Sequence, residues 1–173
     1  MSRPLDTVLP AFNFYVGFLE DGDTLGLLDI AGLFLGGFSE VTGLDSSMSI
    51  LTLVEGGVND RVHRLPGRFE VANITLTKGV GFTDDLWNWI EGWQKGEGVR
   101  KSVFILLANS TRIPLKIWAA ERAIPVKYSG PSFNAANAAL AIEKLEIAPE
   151  KLTLLLSVGD AITAGASALK AAF

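Results

Sequence analysis

Short segments in which apolar and polar residues alternate recur along almost the whole chain, each closed by a turn bearing glycine, proline or aspartate. A side-chain period of two lets one set of residues face a core while the other faces out, so this pattern demands β-strands and excludes a helical bundle. In 12–19, Phe12, Phe14, Val16 and Phe18 share one face, and 37–42 reads as the next strand. In 47–54, Met48, Ile50, Thr52 and Val54 lie opposite Ser49, Leu51 and Leu53. In 71–80, Ala72, Ile74 and Leu76 oppose Asn73, Thr75 and Thr77, the signature of a strand with one wet face. Residues 103–108 are apolar without alternation, which predicts cover on both faces. Residues 114–128 give a strand broken near Pro125, which cannot donate to a ladder. In 140–147 the apolar phase slips from Leu140 and Ile142 to Leu145 and Ile147, which predicts a bulge near Glu143 and Lys144. A last strand follows at 152–156.

The body of the chain carries one convincing helix. Leu86, Trp89, Ile90 and Trp93 form a stripe at helical spacing, Thr83 is placed to cap it, Asp84 and Asp85 fall in the first turn, and Gly96 and Gly98 end it. Residues 20–23 form an acidic turn, and 25–36 is an apolar, glycine-rich stretch that reads as an inserted hairpin arm. Residues 55–68 have no period and carry Gly56, Gly57, Asn59, Pro66 and Gly67, which predicts a long loop. The segment 158–173 is rich in alanine and glycine, with Ile162, Ala166 and Leu169 on one face. A free helix of that length is marginal in water, so it is expected to pack on the body or on a neighbour.

These readings assemble into a mainly β fold: a two-sheet β-barrel or sandwich flanked by one α-helix at about 84–94, with a C-terminal helical extension. One domain is expected over 1–156, with a hairpin insertion at about 20–36 and a long loop at 55–69, followed by the extension at 157–173. The length of 173 residues suits one domain with a real core.

Charged residues make up only 20% of the chain against 49% hydrophobic, low for a surface that meets water everywhere, which points to apolar surface buried against partners. The net charge of −4 argues against a dedicated nucleic-acid binder. With no cysteine, thiol catalysis, disulfides and zinc–thiolate sites are excluded. The polar start at 2–6 does not resemble a signal peptide, and no apolar run reaches the roughly 20 residues of a membrane span, so synthesis in the cytoplasm is expected.

No constellation supports chemistry. His63, the lone histidine, sits between Arg61 and Arg64, where it suits only an anionic partner. Asp21, Asp23 and Asp29 lack the spaced ligand series and closing glutamate of a calcium loop and read as an exposed acidic turn. The glycine pairs at 36–37 and 79–81 precede no phosphate cradle. Trp89 and Trp93 belong to the helix stripe and read as core, whereas Trp87 falls off it and reads as an interface residue. No catalytic, cofactor or metal site is expected. The stretch 59–68 sets Arg61, Arg64 and Arg68 against only Asp60, and reads as an arm reaching an acidic surface of another copy, with 20–23 or Asp84 and Asp85 as receivers.

Taken in order, Val41-Thr42-Gly43-Leu44, Glu55-Gly56-Gly57, Leu65-Pro66-Gly67 with the run to Gln94, Ala123-Ile124-Pro125 and Pro131-Ser132-Phe133 resemble the tail-tube proteins of contractile phages and of extracellular contractile injection systems. These are related in fold to the tube protein of type VI secretion. The resemblance spans about 12–156. It implies a structural protein and no enzyme: hexameric rings stacked into an inner tube, with sheath protein around it and baseplate, initiator and terminator proteins at its ends. DNA or protein cargo would pass through the lumen without specific binding, and the subunit would not insert into a membrane. A tube initiator or baseplate adaptor of the same fold is the alternative. Asp60, Arg61, His63, Arg64, Arg68, Trp87, Asp21, Asp23, Ile162 and Leu169 are the expected inter-subunit contacts.

Overall fold

The computed structural model describes residues 11–20, 34–35, 37–57, 60–81, 83–109, 114–134 and 140–157. Among them run β1 (Phe14–Glu20), β2 (Phe34–Leu35), β3 (Phe38–Thr42), β4 (Ser46–Leu53), β5 (His63–Val71) and β6 (Ile74–Gly79). Then come α1 (Asp85–Gln94), β7 (Lys101–Ala108), β8 (Pro114–Ser129), β9 (Ile142–Ala148) and β10 (Lys151–Ser157). One sheet of eight strands has the order β2-β1-β7-β8-β9-β6-β3, with β10 also paired to β8, and β4 and β5 form a separate two-stranded ribbon.

The corner of the fold is β8. Its first part pairs with β7 and β10, and its last residues pair with β9. Between these parts Arg122 takes a left-handed φ of 52°, and the register slips at Lys101/Val103 of β7 and again at Pro125/Lys127. Bulges of this kind bend a strand, and here they let one strand serve two sheets. The two halves therefore face each other across one core. Val16, Val103, Ile105, Ala120 and Ala123 come from the first half, Ile74, Leu76, Leu145 and Ile147 from the second, and Leu86 and Trp89 from α1. Each large side chain fully buried here contributes about 1.5–3 kcal/mol. β2 and β3, at the ends of the strand order, are not paired with each other, so among the described residues the barrel is open.

Helix α1 packs against β8 and β1. Trp89 stands edge-on to Phe18 of β1, with centroids 5.7 Å apart, and donates its indole N–H to the Val99 carbonyl at 2.9 Å. The expected stripe holds at Leu86 and Trp89, which are buried. Trp93, expected in the core, lies at the helix end, more exposed, where its ring packs over Gly98. Gly96 ends the helix at φ +82°, a conformation that costs a glycine little. Thr83 is not the cap: Asp84 holds that position with no side-chain cap bond, and the Thr83 hydroxyl instead accepts from Lys78 Nζ at 3.4 Å.

β7 is covered on both faces, as its unbroken apolar run predicts. Val103 and Ile105 enter the main core, while Leu106 and Ala108 join Ile117 in a second cluster on the other side.

Three other expectations are corrected. The expected long loop at 55–69 is strand from His63 onward, because β5 begins there and pairs with β4 on both sides of the break at Gly67. The run 71–80 is not one strand; it parts at Ala72 and Asn73, where the Ala72 amide donates to Asp45 O at 3.0 Å and ties off the base of the ribbon. No bulge falls at Glu143 and Lys144, since β9 keeps unbroken register with β6 from Ile142 to Ile147, and the irregularity sits instead on β8 near Pro125, which bulges without ending the strand. The apolar phase slips because Glu143 takes an inward position that an apolar residue would otherwise fill. Tyr128 satisfies it with a hydroxyl hydrogen bond of 2.9 Å, and Ile142 turns outward.

The C-terminal helical extension lies outside the described residues. The insertion at 20–36 is described only at Glu20, the last residue of β1, and at Phe34–Leu35, which pairs with Gly17 and Val16 of β1. Among the described residues no helix is long and apolar enough to cross a membrane.

Candidate assembly surface

The ribbon of β4 and β5 leaves the body at Asp45 and returns at Ala72, and its strands pack on each other while scarcely touching any other element. Every residue of β4 is exposed. On one face Met48, Ile50 and Thr52 stand opposite Phe69, Pro66 and Arg64; on the other, Leu51 and Leu53 stand opposite Leu65 and His63. Both faces are thus apolar over part of their length, and Phe69 is 70% exposed, Leu51 62% and Val54 72%. A two-stranded hairpin is marginal in water by itself, and contiguous apolar surface of this extent marks a contact site.

The ribbon's local geometry comes from three residues. Pro66 lacks an amide donor and is tolerated because a ribbon has free edges. Gly67 lies against Ser49, whose side chain a Cβ at that position would strike. The register slips there, and the Ser49 hydroxyl accepts the Arg68 amide at 2.9 Å and reaches the Arg68 carbonyl at 3.2 Å. A side chain thereby replaces the backbone bonds that the bulge forfeits.

Charge is arranged toward the tip. Asp60 and Arg61 pair at 3.6 Å, and His63 Nε2 lies 3.6 Å from Glu55 Oε2, the anionic partner its two neighbouring cations favour. Arg64 and Arg68, also on β5, make no ion pair among the described residues. Of the expected receivers, Glu20 already pairs with Lys101 at 3.3 Å.

Trp87 is exposed, edge-on to Tyr128 with centroids 5.2 Å apart. Burial, then the hydrogen bond and charge of Glu143, and last the charge of Asp84 push the Tyr128 hydroxyl above its ordinary pKa of 10.0. The structure therefore gathers Asp60, Arg61, His63, Arg64 and Arg68 on one ribbon and sets Trp87 apart from it. Asp21, Asp23, Ile162 and Leu169 lie outside the described residues. The ribbon's larger exposed feature is not its arginines but its apolar side chains: Met48, Ile50, Leu51, Leu53, Leu65 and Phe69. Their signal was present at 47–54, where both alternating sets contain large apolar residues.

Among the described residues no three histidine, aspartate or glutamate side chains gather as metal ligands. The family model of the T4-like virus tail tube protein gp19 matches residues 10–153. Among solved structures, a chain of the sheath–tube complex of the extracellular contractile injection system PVC, in the extended state, is 26% identical, with TM-score 0.72 over 87% of this chain and 93% of its own. A chain of the PVC sheath/tube terminator in the extended state is 25% identical, with TM-score 0.73 over 88% and 99%. A chain of the anti-feeding prophage tube-terminating cap shares the fold at 24% identity, with TM-score 0.73 over 91% and 97%. No curated protein matches the chain.

Proposed function

The chain belongs to the T4-like virus tail tube protein family, a family of structural proteins and not of enzymes, and from that premise we propose that it is the repeating subunit of an inner tube. Six copies form a ring, rings stack, and the bore carries DNA or a protein effector without binding it specifically. Sheath protein surrounds the tube and supplies the work of contraction, so the tube itself is a passive conduit. Baseplate and terminator proteins close its ends.

The observation that carries this reading is the β4–β5 ribbon, apolar on both faces and exposed among the described residues. The open sheet supports it too, because the free edges of β3 and β10 are hazards unless a neighbour covers them. A heterologous contact between such subunits closes into a ring when the rotation allows and extends as a stack.

Negative-stain electron microscopy of the purified protein at high concentration, with and without a baseplate, tests the reading. Tubes with a uniform central hole are expected. A chain that stays a folded monomer under both conditions overturns it. Single rings that never lengthen would favour the second reading, an initiator or cap of the same fold, which the equal likeness to chains of tube and terminator assemblies keeps in play.

A further inference from the structure

Between β3 and the inner face of β1, β7 and β8 lies an open cleft of about 310 Å³, walled by Phe14, Val41, Leu44, Ile105 and Trp118, with Glu40 at its rim. Phe14, Val41, Leu44 and Trp118 pack on the main core but are only partly buried. Cross-strand pairing carries two rows of residues from this cleft to β10. In one row Ile105 faces Trp118, and Trp118 faces Leu154, which is 47% exposed. In the next, Phe14 faces Leu107, Leu107 faces Lys116, and Lys116 faces Ser157, the last described residue. The chain therefore leaves the sheet in a row that lines the cleft, three strand spacings or about 14 Å from Phe14.

Residues 158–173 lie outside the described residues, and their sequence suits that surface. Ile162, Ala166, Leu169 and Phe173 fall at i, i+4, i+7 and i+11, one apolar stripe at helical spacing. A helix from Ile162 to Phe173 would be about 17 Å long, enough to cross from β10 to β1. Asp160 and Lys170 are the only charges of the segment, too few to keep it solvated as a free arm. Lys116 beside Ser157 and Glu40 at the cleft rim complement them, and neither makes an ion pair among the described residues.

We infer that residues 158–173 seat in this cleft of their own chain. Ile162 lies by Trp118, Leu169 and Phe173 reach Phe14 and Val41, Asp160 meets Lys116, and Lys170 meets Glu40. The apolar stripe supplies the affinity, and the two charge pairs fix the direction of the segment across the sheet. The family model matches residues 10–153, so the segment that closes the cleft lies beyond the matched fold. A cleft filled from within is closed to other proteins, and assembly contacts fall to other surfaces. The inference goes beyond the tube-subunit reading and does not depend on it.

The test uses the full chain with a photo-crosslinking benzoylphenylalanine in place of Phe173, mixed with isotope-labelled wild-type chain so that links within one copy are told from links between copies. Links within one copy to Phe14, Val41 or Leu44 are expected. Links to any other surface, links between copies, or no links at all overturn the docking, whether or not rings and tubes form. Charge reversal supplies the second arm. Glu40→Lys and Lys170→Glu should each lower the yield of these links about two- to fivefold, and the double variant should restore most of it. Losses that simply add overturn the Lys170–Glu40 contact. In a third arm, Leu169→Asp should speed amide hydrogen exchange at Phe14 and Val41 about tenfold. Exchange there that stays at the wild-type rate also overturns the seat.

Discussion

Ser49 and Arg68 face each other where the register of the projecting ribbon breaks, and the Ser49 hydroxyl accepts the Arg68 amide at 2.9 Å. The same oxygen lies 3.2 Å from the Arg68 carbonyl, so one side chain serves both polar groups of the bulged residue. The ribbon keeps its shape by this local device, because it has no core of its own.

Gly67→Val places a side chain where Ser49 already sits and should spoil the bulge without touching the body. The expected outcome is loss of rings and tubes in electron micrographs, with the thermal midpoint of the monomer moved by no more than about 2 °C. A larger fall in the midpoint would mean that ribbon and body fold as one unit.

Leu51→Asp combined with Leu65→Asp places two charges on the second apolar face of the ribbon, where these residues are directly opposed. The variant should remain a soluble, folded monomer by sedimentation and circular dichroism, and it should not assemble. Normal tubes from this variant would show that this face stays in water.

Arg61, Arg64 and Arg68 changed together to Glu reverse the charge of β5 and its approach. Ring stacking should fail while folding is kept, and size-exclusion chromatography with electron microscopy reads both. Long tubes from this variant would remove the basic side of the ribbon from the axial contact.

Leu145 is fully buried between the two halves of the sheet. Leu145→Ala should cost about 2–5 kcal/mol, measured as a lower denaturant midpoint at unchanged slope. A loss below that range would indicate that the core collapses around the missing side chain.

Tyr128 titrates above its ordinary value of 10.0 because burial, foremost, and Glu143 disfavour the phenolate. A raised folded-state pKa means that its contribution to stability is present below pH 10 and is lost as pH rises through the folded value. Wild-type stability should therefore fall more steeply with pH above 10 than that of Tyr128→Phe, read by denaturant unfolding at stepped pH. Parallel curves would mean that Tyr128 is not held neutral by its surroundings.

The strands of the body were readable wherever one face is core. Val16 between Phe14 and Phe18, and Ile74 and Leu76 in β6, lie as the alternation predicts, because burial on one face imposes the period directly. Thr77, expected on a wet face, is instead buried, and Ala72, expected on the core face, is exposed. The helix was readable from Leu86 and Trp89 for the same reason. β5 was hidden because Pro66 and Gly67 ordinarily signal a turn, and only their position on a free-edged ribbon opposite Ser49 makes them tolerable in a strand. Glu143 misled in another way. A carboxylate at an inward position reads as a change of phase until the Tyr128 hydroxyl that satisfies it is known.

The sequence by itself determined the strands that lay one face on the core, where the helix runs, and the family to which their order belongs, since alternation, helical spacing and turn residues act over a few neighbours. Only the tertiary structure decided that β8 turns the corner between two half-sheets, that the barrel is open among the described residues, and that β4 and β5 stand clear of the body as a ribbon. Those outcomes depend on which distant strand completes each ladder and which side chain fills each inward position, and no local pattern carries that information.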